Sequence, residues 1–147
     1  MALLLPYTDV LAVSDTSPTY THFVYMVGHA NWLHYAVNAW TLLVFHNLFK
    51  MYRVIAAYLC AVVISYTLLP SQPMVGASVF NCFFMGFWTL YMWYREKLGA
   101  VMTVALLILT CLLPGFAGIQ HVAAYITGLL FSYAEKKVWH AISFLKF

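Results

Sequence analysis

Between Asn31 and Ala134 the chain runs in five long apolar stretches, bounded by charges, prolines and glycines: Asn31 to Phe49, Val54 to Leu69, Gly76 to Tyr94, Leu98 to Leu113 and Ile119 to Ala134. Few folds are open to such a pattern. A helix rises ~1.5 Å per residue, so ~19 residues cross the ~30 Å hydrocarbon core of a bilayer, where the backbone has to satisfy its own hydrogen bonds. The segments between the runs are too short to supply a soluble surface, and the whole chain is 65% hydrophobic and 7% charged. Soluble domains have about 45–50% and about 25%. The expected fold class is therefore all-α: a polytopic membrane helix bundle, one domain with five transmembrane helices. The shorter fourth run needs local thinning of the bilayer to span it.

The basic residues give this bundle a direction. All seven Lys and Arg fall on one side of a five-span arrangement: Lys50 and Arg53 between the first two runs, Arg95 and Lys97 between the third and fourth, and Lys136, Lys137 and Lys146 after the fifth. The opposite loops, Pro70 to Val75 and Pro114 to Gln120, carry none. Cytoplasmic loops concentrate Lys and Arg, so the basic side is expected inside and the N-terminus, with Asp9 and Asp15, outside. This suits a multi-pass protein of a prokaryotic cytoplasmic membrane. Residues 1–30, broken by Pro6 and Pro18, are expected to form an outer-face cap, 31–137 the helical core and 138–147 an interfacial cytoplasmic tail. The opening apolar residues lack a basic flank and are expected to be retained rather than cleaved as a signal peptide. Glu96 and Glu135 are expected to be solvated loop residues, and His46 an interfacial one. Cys60, Cys82 and Cys111 lie singly in different runs, which suits buried small hydrophobes rather than disulfides.

Polar residues where the runs should be most apolar are costly and need partners or a function. His34 and Asn38 are four apart and share a face near the outer end of the first helix. In the third run Ser78, Cys82 and Gly86 recur every fourth residue, and the fifth run answers with His121, Ala124 and Gly128. Both helices start outside, so the two stripes of small side chains can face each other at equal depth and bring Ser78 to His121. Ala57 and Ala61 form a lesser seam on the second helix. A serine hydroxyl becomes a useful nucleophile when a neutral histidine accepts its proton, and the oxyanion that follows needs donors already in place. His34, Asn38 and the backbone N–H groups at the start of the third helix are suitable donors, and Gly76 would let backbone and substrate approach closely.

The series His29-x4-His34-x3-Asn38, then Gly76-x-Ser78, then His121 with Gly128 seven residues later, resembles the rhomboid intramembrane serine proteases over about residues 20–133. The resemblance implies Ser78 as nucleophile, His121 as general base and then acid, and an oxyanion hole from His34, Asn38 and the Ser78 backbone N–H. It places His29 in the hydrogen-bond network supporting that site. The implied substrates and partners are transmembrane proteins cut near the outer face, within the lipid bilayer; no cofactor, metal or nucleic acid is implied. The chain departs from the family pattern in lacking the helix before the histidine-rich one, which leaves room for a second copy or a partner helix. It also has Tyr20-Thr21 for the usual Trp-Arg, Val79 for the glycine after the serine, and Ala124 for the glycine three after the histidine.

Those departures support a second reading, a rhomboid-like pseudoprotease that binds transmembrane clients without cutting them. A third is a haem or metal protein using His22, His29, His34 and His121, since imidazole is a common ligand. Against it, His29 and His34 are five residues apart, about 140° around an ideal helix, and the reading leaves Asn38 and Ser78 without a role.

Overall fold

The computed structural model describes residues 11–29, 32–68, 73–112 and 118–144. Expectations that rest on Pro6, Asp9, Asn31, Pro70, Pro114 and Lys146 lie outside these residues. The described chain is all-α, 81% helical with six helices. In order they are α1 (Thr21–Val24), α2 (Trp32–Phe45), α3 (Met51–Thr67), α4 (Ser78–Trp93), α5 (Lys97–Leu112) and α6 (Gly118–Phe144), with 3-10 turns at Tyr25–Val27 and His46–Leu48.

The helices of the first and third runs are shorter than the apolar runs that contain them, for local reasons. The first run tightens into a 3-10 turn at His46, and the chain is extended at Lys50 before α3 begins. The third run opens with Gly76 at φ 112° and Ala77 outside the helix, so α4 starts only at Ser78. The helices α2 to α5 have 14, 17, 16 and 16 residues, respectively. At 1.5 Å per residue these are roughly 21–26 Å long. The helix α6 has 27 residues, but Gln120 and His121 occupy its first turn and Glu135, Lys136 and Lys137 its later half. Among the described residues, no helix is both long and apolar enough to cross a membrane. Residues 138–144 continue α6 without a break, as no glycine or proline interrupts Glu135 to Phe144 and Glu, Lys and Ala favour helix.

The helix α4 is the centre of the bundle. Val79, every residue from Asn81 to Phe87, and Thr89 are buried. A helix covered on all sides in this way is a core element rather than an amphipathic surface one. Its closest neighbour is α6, against which two glycines allow backbone to touch backbone. A Cβ on Gly128 would overlap the carbonyl of Phe83, and one on Gly86 would overlap the carbonyl of Tyr125. Cys82 and Ala124 are buried in the same stripes. Deeper in the bundle, the Tyr125 hydroxyl donates to Thr89 Oγ1 at 2.8 Å, and Thr89 Oγ1 lies 2.6 Å from Thr103 Oγ1, so α4, α5 and α6 share one polar chain. On α3 the Ala57 and Ala61 seam is fully buried, and the Tyr25 hydroxyl donates to Ala61 O at 3.2 Å.

The far end of the bundle holds an ion pair that the charge pattern did not disclose. Arg53 Nε donates to Glu135 Oε2 at 2.9 Å, Arg53 Nη2 donates to Oε1, and the Tyr52 hydroxyl donates to Oε1 at 2.8 Å. The guanidinium also donates to Leu48 O at 3.2 Å and lies 4.4 Å from the Phe87 ring centre. Glu135 is thus half-buried and paired, not a solvated loop residue. This fork ties the start of α3 to α6, and Lys136 Nζ over the Tyr94 ring at 3.3 Å ties the end of α4 to the same stretch. The basic residues gather at this end and the Ser78 end lies opposite. The sides of the bundle are apolar: Leu33, Trp40, Leu43, Met51, Leu98 and Leu130 are each more than 60% exposed.

Two predictions follow from this packing. Gly128→Ala, which puts a methyl on a backbone carbonyl, is expected to destabilise the protein by at least ~2 kcal/mol in thermal unfolding. Gly99→Ala, whose new methyl meets only the flexible end of Met92, serves as the mild control. The Glu135 carboxyl gives a pH signature. Burial works to raise its pKa, but the hydrogen bonds from Arg53 and Tyr52 outweigh burial and hold it below the ordinary value. A depressed folded pKa contributes stability above the unfolded value, near ~4.3, that is lost as pH falls through the folded one. Glu135→Gln should lower stability at neutral pH and flatten its fall on acidification, measured as unfolding midpoints from pH 7 to pH 3.

Candidate active site

The site is assembled at the end where α3 finishes and α4 and α6 begin, and the N-terminal segment braces it. Val13 and Met74 pair as an isolated antiparallel bridge, each N–H donating to the other's carbonyl at 2.8 Å. Two residues on, the Gly76 N–H donates to Tyr25 O at 2.9 Å. Gly76 then takes its positive φ, which an L side chain rarely adopts, and turns the chain into α4. The absence of a Cβ there has a second use. One built on Gly76 would stand 2.5 Å from His34 Cε1 and 2.9 Å from its Nε2, so the His34 imidazole lies directly over this glycine.

Ser78 is the first residue of α4. The capping position before it is Ala77, without a side-chain cap, so the serine hydroxyl is not spent on capping the helix. Its Oγ lies 2.9 Å from His121 Nε2. For the serine to donate in this contact, Nε2 has to be the unprotonated ring nitrogen and the proton has to sit on Nδ1. His121 is buried in the first turn of α6, and its neighbour Gln120 fixes that turn by donating from Nε2 to Leu68 O at 2.7 Å. The N–H groups of the first turn of α4 have no acceptor within the helix, and they point towards the serine end.

His34 and Asn38 reach the same end on α2. Asn38 donates from Nδ2 to His34 O at 2.9 Å, and its Oδ1 accepts from Asn81 Nδ2 at 2.7 Å. Asn81 Nδ2 also lies 3.3 Å from Asn38 O. Asn81 sits one turn inward from Ser78 on the same face of α4, so the α2 residues join the serine helix through it. His29 packs edge-on against His34, with ring centres 5.5 Å apart, and against Tyr35 at 5.1 Å. Ser78, His121, His34, Gly76 and Asn38 are therefore gathered, with His29 at their margin. Cys82, Gly86, Ala124 and Gly128 form the close helix contact beneath them.

A second serine–histidine contact makes a useful comparison. His22 Nδ1 lies 3.0 Å from Ser65 Oγ, and both residues are buried. Ser65 already donates its one hydroxyl proton to Val62 O at 2.7 Å, so here the imidazole has to be the donor. His22 is further held by stacking on Tyr66, centres 3.8 Å apart. This pair is a structural clasp between α1 and α3. No group of three or more His, Cys, Asp or Glu among the described residues is arranged to hold a metal. The metal-protein reading is not supported by this arrangement.

Sequence reasoning passed over Asn81, Gln120 and the Val13–Met74 bridge. The signal for Asn81 was present: an amide in the middle of an apolar run is as anomalous as Asn38. The chain matches no protein-family model, no curated protein and no solved structure.

The fit of His34 over Gly76 is testable by itself. Gly76→Ala is expected to cost roughly 1–3 kcal/mol of stability, from backbone strain alone, and to shift the His34 ring resonances in an NMR spectrum. The His22 and His46 signals should stay in place.

Proposed function

We propose that this chain is an intramembrane serine protease of the rhomboid type, cleaving transmembrane segments of other membrane proteins by a Ser78–His121 dyad. The observation that carries the reading is the 2.9 Å contact of His121 Nε2 with a serine that begins a helix without capping it, beside a positive-φ glycine over which the His34 ring lies. In the reaction, Ser78 Oγ attacks the scissile carbonyl while its proton passes to His121 Nε2. The carbonyl oxygen becomes an oxyanion that can accept from the Ser78 N–H, from His34, and from the Asn38 N–H not used on His34 O. Collapse of the tetrahedral adduct breaks the C–N bond, with His121 returning the proton to the departing amine. Water, deprotonated by His121, then attacks the acyl carbon, and the Oγ–C bond breaks as His121 returns that proton to Ser78 Oγ.

Membrane residence is part of the proposal. Its support is the inverted distribution of side chains: amides and imidazoles inside, and large apolar residues over the sides of the bundle. Soluble monomers rarely expose apolar surface on this scale. Helices of roughly 21–26 Å fit a bilayer that thins around them, at a fraction of a kcal/mol per ångström of mismatch. The basic end, with Lys50, Arg53, Arg95, Lys97, Lys136 and Lys137, would face the cytoplasm and the dyad the opposite side.

One specific observation favours the pseudoprotease as the runner-up. Val79 and Ala124, which occupy the two positions of the missing family glycines, are both fully buried in the core. Cleavage decides between them. In proteoliposomes containing a single-span substrate with a small residue near the outer face, the wild-type protein is expected to cut and Ser78→Ala is not. Asn38→Ala should slow the reaction by about 10²–10³-fold, the scale of losing an oxyanion donor. Equal cutting by wild type and Ser78→Ala would refute the assignment, and failure of folded wild type to cut any such substrate would favour the pseudoprotease.

A further inference from the structure

A polar contact between α2 and α4 that the proposed chemistry has not used is the amide pair Asn38 and Asn81. Both residues are buried, 4% and 3% exposed. Their orientations are fixed by elimination. His34 O can only accept, so the nitrogen of Asn38 has to face it. That turns Asn38 Oδ1 towards α4, and the nitrogen of Asn81 has to face that oxygen in turn. The alternative rotamer of Asn81 would set two carbonyl oxygens against each other. The chain of donors therefore runs one way, from Asn81 to Asn38 to His34 O.

The arrangement carries a cost. Asn81 Oδ1 is buried without a hydrogen-bond partner. Leaving a buried amide oxygen unpaired is unfavourable by an amount that an apolar side chain of the same size would avoid. A contact whose only purpose was to hold two helices together would be better made by leucine. What the amide supplies, and leucine cannot, is a donor to Asn38 Oδ1 that stops the Asn38 side chain from rotating. With Oδ1 held by α4 and one N–H held by His34 O, the remaining N–H of Asn38 has a single direction.

We propose that Asn81 is a positioning residue: through Asn38 Oδ1 it locks the oxyanion donor of α2 to the same helix that carries the nucleophile. This inference rests on the protease reading above. Because Asn81 lies three residues after Ser78, a rigid turn of α4 connects the two, and any shift of α4 moves the serine and the Asn38 amide together. The register between nucleophile and oxyanion donor is thus kept within the protein even if α2 moves against the rest of the bundle.

The test is a double-mutant cycle read as kcat and KM for cleavage of one substrate. The proteins are wild type, Asn81→Leu, Asn38→Leu and the double variant, with Asn81→Ala in place of Asn81→Leu should the leucine protein fail to fold. Asn81→Leu is expected to lower kcat by roughly 10–100-fold with little change in KM, the effect of a loosened rather than a deleted donor. The double variant is expected to be no slower than Asn38→Leu alone, since Asn81 then has nothing left to hold. A packing role would instead give losses that multiply. Multiplicative losses, or an Asn81 variant with wild-type kcat, would overturn the inference while leaving the protease intact. A folded wild type without activity would overturn both.

Discussion

Everything at the serine end depends on how closely α4 and α6 approach. Gly86 against Tyr125 O and Gly128 against Phe83 O let the two backbones meet with no side chain between them. At this separation a serine on one helix and a histidine on the other are within hydrogen-bond reach at 2.9 Å. With larger residues at either glycine the helices would part, and the same serine and histidine would face each other across a gap. The dyad is thus a consequence of packing two turns below it.

The remaining polar groups follow from that contact. Once α4 is enclosed, each buried donor or acceptor needs a partner on a neighbouring helix, and the bundle distributes them by depth. At the serine end are the dyad, the Asn38–Asn81 pair and the Gln120 bond to Leu68 O; in the middle is the Tyr125, Thr89 and Thr103 chain; at the far end is the Arg53–Glu135 fork. A bidentate, half-buried ion pair of this kind is costly to break on one side only, because the partner charge is left behind in a poor solvent. It fixes the start of α3 to the later half of α6 and so limits rotation of α6, the helix that carries His121. The His22–Ser65 clasp does a similar service for the N-terminal segment, which in turn braces the turn at Gly76.

Much of this arrangement was legible in the sequence because helical spacing is a strong signal. Ser78, Cys82 and Gly86 against His121, Ala124 and Gly128 defined the α4–α6 contact, and Gly76 before Ser78 marked the turn. Asn81 was overlooked because the stripe of small residues runs from Ser78 through Cys82 and Gly86 at every fourth position, and position 81 falls outside it. Glu135 was misread because a charge next to Lys136 and Lys137 looks like a solvated helix end, and nothing local discloses a partner 82 residues away. The helix lengths were overestimated for a physical reason: an apolar residue need not be helical, and the 3-10 turn at His46 and the positive φ at Gly76 shorten the first and third runs. The Val13–Met74 bridge joins two unremarkable loops and has no sequence signature.

The central claim is that Ser78 is activated by His121, and covalent labelling with a fluorophosphonate addresses it without any knowledge of the substrate. The measurement is the intact mass of the folded, purified protein after labelling, followed by peptide mapping of the adduct. The account predicts one adduct, on Ser78, absent from His121→Ala, with Ser65 unlabelled even though His22 lies beside it. No adduct on folded wild type, or an adduct that persists when His121 is removed, would contradict it.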